Sequence, residues 1–230
     1  MWLMLNLRKL KKTKSLSKQQ GDLGSPTYFK VHMKNDRVIL TDCDGVLLDW
    51  EWAFAIWMQE RGYVQRPNAK DYYTIHDQFE NLTWPEAKKF TKLFNESAAI
   101  GFLPPLRDSV YWVKRLNEEF GYRFICITSL STDVNAQKLR RMNLEKYYGQ
   151  VFDDVVCLPT GGDKDAALEP YRDSGMWWIE DKPANSDLGH KLGLKSILVE
   201  HGHNMNHECV YPVARNWRDI FGIISPSYED

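Results

Sequence analysis

Cysteine is scarce in this sequence. Four occur in 230 residues, at positions 43, 126, 157 and 209, and none forms a C-x-x-C pair. That spacing excludes a zinc ribbon and a disulfide framework. Cys43, Cys126 and Cys157 lie in or beside apolar runs, the usual setting of buried reduced thiols. Reduced thiols fit a reducing compartment, so a cytoplasmic protein is expected. No apolar stretch approaches the roughly 20 residues that a bilayer span needs, so no membrane partner is expected. Neither sign of charge dominates: 30 Lys and Arg stand against 31 Asp and Glu, a net charge of -1. That balance gives no support for a binder of polymeric nucleic acid or of a membrane surface. Internal repeats and low-complexity tracts are absent, and composition leaves the oligomeric state open.

Aromatic residues, in contrast, are plentiful: 9 Trp, 11 Tyr and 10 Phe, alongside a hydrophobic fraction of 43%. Such a chain has the material for one sizeable core plus an insert. Residues 1–36 differ from the rest, with eight Lys or Arg and only two Asp. They read as a basic, disordered N-terminal extension. An organelle-targeting leader is the alternative, weakened by its single Arg. Met33 is a second candidate translation start.

From Arg37 onward short apolar runs alternate with helical patterns. Arg37–Thr41 reads as a first buried strand, ended by a turn at Asp42–Gly45. Trp50, Ala53, Phe54, Trp57 and Met58 form the stripe of an amphipathic helix over 50–61. Residues 62–82 show no clear period. Thr83 with Glu86 makes a capping box, with Pro85 in the first turn of a helix that carries Phe90, Leu93 and Phe94. Asp108 is a plausible N-cap for a helix that Gly121 ends. Strands are expected at Arg123–Ile127, Val151–Leu158, Met176–Ile179 and Ser196–Val199, with helices over 133–147 and 184–192. Alternation of this kind predicts an α/β fold, a Rossmann-like parallel sheet flanked by helices.

In a parallel sheet the carboxyl ends of all strands share one edge, where ligands bind. Asp42 and Asp44 follow the first strand, Thr128 and Ser129 the second, Glu180 and Asp181 the fourth. Lys164, after the third, can reach the same edge. Clustered carboxylates repel one another and call for a cation. Hard oxygen donors suit Mg²⁺, which uses one or two carboxylates plus phosphate oxygens. Mg²⁺ and Lys164 would neutralise the charge that grows when a carboxylate attacks phosphate. The Thr128 hydroxyl and nearby N–H groups are candidates for phosphate oxygens. The set amounts to a phosphoryl-transfer site.

These segments resemble a known family. Val38-Ile39-Leu40-Thr41-Asp42-Cys43-Asp44-Gly45-Val46 is similar to motif one of the haloacid dehalogenase (HAD) superfamily. Phe124 to Ser129 resembles motif two, Lys164 motif three, and Trp178-Ile179-Glu180-Asp181 with Asn185 and Asp187 motif four. The resemblance covers roughly residues 37–200 and implies roles. Asp42 would attack phosphorus and become an aspartyl-phosphate, while Asp44 protonates the leaving oxygen and then activates water. Mg²⁺ would be held by Asp42, the Asp44 backbone carbonyl and Asp181. Thr128, Ser129 and Lys164 would position the phosphoryl group. The second Asp favours phosphate transfer over dehalogenation. Glu180, Asn185 and Asp187 are left as supporting groups or ordinary helix residues.

The resemblance also implies domains: a core of 37–49 and 107–225, a small helical cap over 50–106, and a tail at 226–230. The cap segment holds 12 aromatics in 57 residues, most of them needed for its own packing. Trp50 and Trp52, just after the catalytic turn, are candidates to stack on a planar substrate group. Cys126–Ser129, Glu145–Gly149, Gly162–Lys164 and Ile179–Pro183 are similar to 5'(3')-deoxyribonucleotidases, although Glu180 stands where those usually have Asp. A small phosphorylated metabolite such as a 5'-nucleotide is therefore the expected substrate. A sugar phosphate, transfer to an acceptor other than water, and a catalytically silent phospho-ligand module are the alternatives. His201, His203 and His207 read as a solvated loop at the rim rather than a metal site.

Overall fold

A computed structural model describes residues 37–225. The expectations for the basic extension at 1–36 and the tail at 226–230 lie outside these residues. Six parallel strands form one sheet: β1 (Val38–Thr41), β2 (Arg123–Thr128), β3 (Phe152–Cys157), β4 (Trp177–Glu180), β5 (Lys195–Val199) and β6 (Val213–Ala214). Their order is β3-β2-β1-β4-β5-β6. β1 therefore lies inside the sheet, and the order reverses beside it, where an open α/β sheet leaves a crevice.

The inner strands are apolar on both faces because helices cover both. Ile39, Phe124, Cys126, Ile179 and Ile197 point into one core. Val38, Leu40, Ile125, Ile127 and Trp178 point into the other, against Leu168, Tyr171, Leu192 and Leu194. This is the period-two alternation of a strand, read on a sheet buried twice over. The helices are α1 (Trp50–Gln59), α2 (Ile75–Gln78), α3 (Trp84–Asn95), α4 (Ser109–Phe120), α5 (Val134–Tyr148), α6 (Asp165–Leu168), α7 (Pro183–Lys191) and α8 (Trp217–Ile224). Among the described residues no helix is long and apolar enough to cross a membrane.

Three details depart from the sequence reading. β6 and α8 were not anticipated: β6 is two residues long, too short for a periodic signal. Residues 62–82 do contain structure, a 3₁₀ turn at Ala69–Asp71, the single-turn α2 and a bridge between Gln65 and Phe79. These pieces are shorter than the window in which periodicity shows.

The 50–106 segment leaves and rejoins the core at one narrow joint. Asp49 N–H donates to the Pro104 carbonyl at 2.9 Å and Leu106 N–H to the Leu47 carbonyl at 2.8 Å. The Thr83–Glu86 capping box forms as expected at the start of α3. Between these points an aromatic cluster ties α1 to α3. Trp50 stacks on Phe54 with centroids 4.6 Å apart, and Phe54 meets the edge of Phe94 at 5.3 Å. Such pairs add about 0.5–1.5 kcal/mol each beyond area burial.

Candidate active site

The site grows from the end of β1. Parallel pairing with β2 and β4 fixes Thr41, and Asp42 N–H continues the ladder by donating to the Ile179 carbonyl at 2.8 Å. Asp42 is thus locked at the sheet edge, nearly buried. Gly45 then turns the chain with φ +74. A Cβ on Gly45 would stand 2.3 Å from Asp181 Oδ2. Glycine is required there twice, for the left-handed backbone and for the close approach of Asp181.

Lys164, 1% exposed, lies between two carboxylates. Its Nζ is 2.8 Å from Asp42 Oδ1 and 2.7 Å from Glu180 Oε2. Burial opposes its charge, but Asp42 and Glu180 outweigh burial and hold its pKa above the ordinary lysine value. Glu180 is fully buried and fully bonded. Its Oε2 also accepts from Asn185 Nδ2 at 3.2 Å, and its Oε1 accepts the N–H groups of Asp181 and Lys182, each at 3.0 Å. Burial again works against charge, yet Lys164 and these donors keep the Glu180 carboxyl below its ordinary range.

Asp42, Glu180 and Asp181 each bring a carboxylate oxygen to within 4.8 Å of the others. Lys164 is the cation between two of them, so the cluster has an excess of negative charge. Asp42 is pushed up to about 8, first by burial and then by Glu180. Asp181 is held well above the usual carboxylate range by burial, Glu180 and Asp42. Oxygen donors this close and this strained by mutual repulsion fit a hard divalent cation such as Mg²⁺. The Thr128 hydroxyl at the end of β2 is buried and has no hydrogen-bond partner among the described residues. A buried hydroxyl left unpaired costs about 1–3 kcal/mol, so it fits a ligand oxygen.

The structure brings together Asp42, Lys164, Glu180 and Asp181, and places Thr128 at the end of the adjoining strand. Asp44 sits two residues on, its carboxylate paired with Arg140. Two expected residues, Ser129 and Trp50, are placed otherwise, and Asp187, left open above, lies away from the site. Ser129 donates its hydroxyl to the Gly162 carbonyl at 2.7 Å, so its side chain braces the loop that carries Lys164 rather than offering a donor to phosphate. Trp50 is turned into the 50–106 packing, with its N–H donated to Asn95 Oδ1 at 2.8 Å. Asp187 faces away toward the surface loop, accepting from Tyr211 Oη at 2.6 Å. Trp52 is exposed, 56% of its surface open to solvent.

The histidine loop is more than solvated. His201 Nε2 donates to the Gly45 carbonyl at 2.7 Å, since a carbonyl can only accept. Burial pushes its pKa down to about 4, which keeps the ring neutral. His203 stacks on it with centroids 5.5 Å apart. His207 stands apart beside Asp187, and among the described residues the three do not gather as a metal set. Next to them Asn204, buried, donates to the Asp181 carbonyl at 2.7 Å and to the Val199 carbonyl at 2.8 Å. This turn fastens the Gly45 end of the site to the Asp181 end.

Sequence reasoning missed Arg140, Asn204 and Tyr73. Tyr73 comes from the irregular part of the 50–106 segment. Its phenol is pushed up by burial and by the charges of Asp181, Glu180 and Asp42, although the residue as a whole is half exposed. Its ring centroid lies 5.3 Å from that of His203. The sequence carries no specific signal for any of the three.

No family model matches the chain. A bacteriophage T4 protein, an uncharacterised 32.4 kDa protein of the Gp30–rIII intergenic region, is 24% identical over 187 residues. The match takes in 79% of this chain and 62% of the phage protein, so the chain spans less than two thirds of that relative. Among solved structures, L-2-haloacid dehalogenase from Xanthobacter autotrophicus with covalently bound chloropropionic acid aligns at TM-score 0.53 and 11% identity, over 82% of this chain and 98% of that one. CbbY from Rhodobacter sphaeroides in complex with phosphate aligns at 0.52 and 15%, over 80% and 96%.

Proposed function

From a chain that has the Rossmann-like fold of the HAD-superfamily hydrolases, we propose a Mg²⁺-dependent phosphomonoester hydrolase that works through an aspartyl-phosphate on Asp42. The observation that carries this reading is the carboxylate group Asp42, Glu180 and Asp181, with oxygens within 4.8 Å and a single lysine among them. That arrangement calls for a cation and then attracts a phosphate, whose oxygens both cations can neutralise.

Asp42 and Asp181 would hold Mg²⁺, with the Asp44 carbonyl as the third protein ligand. The ion supplies charge neutralisation for the attacking carboxylate and the phosphoryl oxygens. Glu180, already saturated by Lys164, Asn185 and two N–H groups, keeps Lys164 charged and in place. Lys164 and the unpartnered Thr128 hydroxyl bind phosphoryl oxygens. A carboxylate oxygen of Asp42 bonds to phosphorus as the ester P–O bond breaks. Asp44 gives its proton to the departing alkoxide. Water then attacks the same phosphorus, Asp44 takes the water proton, and the Asp42–phosphorus bond breaks to release inorganic phosphate.

Asp44 is what selects phosphate chemistry from a fold shared with a dehalogenase. A halide leaves as a stable anion and needs no proton, whereas an alkoxide does. For substrate we infer a small phosphomonoester, with 5'-nucleotides ahead of sugar phosphates. The resemblance of Cys126–Ser129, Glu145–Gly149, Gly162–Lys164 and Ile179–Pro183 to 5'(3')-deoxyribonucleotidases supports the nucleotide assignment, and the half-exposed Tyr73 ring, 5.3 Å from His203, offers a face for a planar group.

The test is a phosphate-release screen of the purified chain over nucleoside monophosphates and sugar phosphates, with Mg²⁺ and with EDTA. Turnover that needs Mg²⁺ and disappears in Asp42→Asn is expected. Turnover that survives Asp42→Asn would remove the nucleophile assignment. A total lack of turnover would favour a silent phospho-ligand module.

A further inference from the structure

Helix α5 presents a polar stripe to the catalytic turn, and Arg140 is its centre. Asn143 Nδ2 donates to the Leu103 carbonyl at 3.1 Å and Tyr148 Oη to the Leu47 carbonyl at 2.6 Å. Arg140, at 0% exposure, reaches the residues between them in space. Its NH2 donates to Asp44 Oδ2 at 3.0 Å and its NH1 to Asp44 Oδ1. NH1 also lies 2.6 Å from Cys43 Sγ. Asp44 is the one carboxylate paired with Arg140 among the described residues.

This is a costly arrangement for packing alone. Burying an ion carries a penalty of several kcal/mol, and an apolar side chain of similar volume often serves stability as well or better. What a guanidinium fork does that an apolar group cannot is fix both oxygens of a carboxylate in one plane. Asp44 has two rotatable bonds, sits just before the Gly45 turn and is a quarter exposed. Without a partner it would sample several rotamers. Each carboxylate oxygen has two lone pairs, and Arg140 occupies one on each. One lone pair per oxygen stays free to carry the proton for the leaving group.

We propose that Arg140 is the positioning residue for Asp44, holding the acid/base carboxyl aimed at the leaving-group oxygen. The assignment rests on the phosphatase reading above. It requires that loss of Arg140 hurt in proportion to how much the leaving group needs a proton.

The test uses the full chain with Mg²⁺ and two kinds of ester. One is 2,4-dinitrophenyl phosphate, whose phenolate leaves without a proton. The other is whichever of adenosine 5'-monophosphate and glucose 6-phosphate the wild type hydrolyses faster. The parameter kcat/KM reports events up to leaving-group departure. Arg140→Met should lower it about 100-fold on the alkyl ester, the scale of a misplaced catalytic group, and less than about 5-fold on the dinitrophenyl ester. Arg140→Lys keeps the charge without the fork and should recover part of the alkyl-ester rate. In both variants kcat should fall alike on the two esters wherever hydrolysis of the aspartyl-phosphate limits it. Melting temperature and its rise with Mg²⁺ check that the site persists. Equal losses in kcat/KM on both esters would overturn the assignment. So would failure of both variants to fold, which would make Arg140 a structural ion. If the wild type hydrolyses none of the three esters, the phosphatase reading itself falls; if it is active and only the leaving-group dependence is missing, that reading stands and the role of Arg140 alone is refuted.

Discussion

Raising the pH of the metal-free protein from 6.5 to 8 should destabilise it, and Mg²⁺ should reverse the loss. Asp42 titrates near 3.9 in an unfolded chain and at about 8 in the fold, mainly because of burial and Glu180. Between these values the native state carries a proton that the unfolded state has released. The unfolded state binds fewer protons, so stability falls as pH rises. The window starts at 6.5 for a reason. His201, pushed down to about 4, gives a slope of the opposite sign below the ordinary histidine pKa. Glu180, held low, and Lys164, held high, keep one charge state throughout and add no slope. Asp42 alone then accounts for about 1.5 kcal/mol over the window, and Asp181 adds in the same direction. For a domain of this size about 1.5 kcal/mol is roughly 3–6 °C in melting temperature. Because Mg²⁺ would bind the ionised carboxylates, its stabilisation should be larger at pH 8 than at pH 6.5 at one Mg²⁺ concentration. Thermal unfolding followed by tryptophan fluorescence, in EDTA and in Mg²⁺, measures all four conditions. Asp42→Asn removes the titrating group and should flatten much of the slope and blunt the Mg²⁺ response. A metal-free melting temperature that stays level or rises from pH 6.5 to 8 would refute the reasoning. So would an equal Mg²⁺ shift in wild type and Asp42→Asn.

Other substitutions probe the supports. Gly45→Ala forces a Cβ to 2.3 Å from Asp181 Oδ2 at a left-handed backbone; we expect Mg²⁺ affinity, read by titration of activity, to fall by about tenfold or more, and about 1–2 kcal/mol of stability to be lost from the φ strain alone. Asn204→Ala removes hydrogen bonds to the Asp181 and Val199 carbonyls and should cost about 2–3 kcal/mol in denaturant unfolding. Tyr73→Ala, outside the acid cluster itself, should raise KM for a large phosphomonoester more than for a small one, while kcat changes little; equal effects on both would remove Tyr73 from substrate contact.

The main elements of the sheet and the corners of the site were legible because both are local. Val38–Thr41 and Arg123–Thr128 are short apolar runs that stop at polar residues, and a parallel sheet places those stops on one edge. Topology alone therefore gathered Asp42, Thr128 and Asp181. What stayed hidden depends on distance in sequence. Arg140 lies 96 residues from Asp44, in a helix whose low amphipathicity disguises a buried polar stripe. His201 lies 156 residues from the Gly45 carbonyl it meets. Trp50 was misplaced because position alone suggested the substrate, whereas the stripe it shares with Phe54 and Trp57 had already assigned it to packing.

These hidden residues explain why motif residues alone do not define this centre. Asp42 is fixed by the sheet, through the bond from its N–H to Ile179. Asp44 and Gly45 lie beyond the last ladder bond, so the sheet does not position them. Arg140 holds the Asp44 carboxylate and His201 holds the Gly45 carbonyl. Asn204 then links that turn to Asp181. The carboxylates that repel one another are thus restrained from outside by neutral or cationic groups, each bonded to backbone or to one oxygen pair. Such a frame keeps the acids close before any cation arrives, and so lowers the reorganisation that binding would otherwise require. It follows that loosening the frame at Asn204 should weaken Mg²⁺ binding although no ligand is lost. Replacing Asp187, which faces the Tyr211 loop instead, should leave Mg²⁺ binding unchanged.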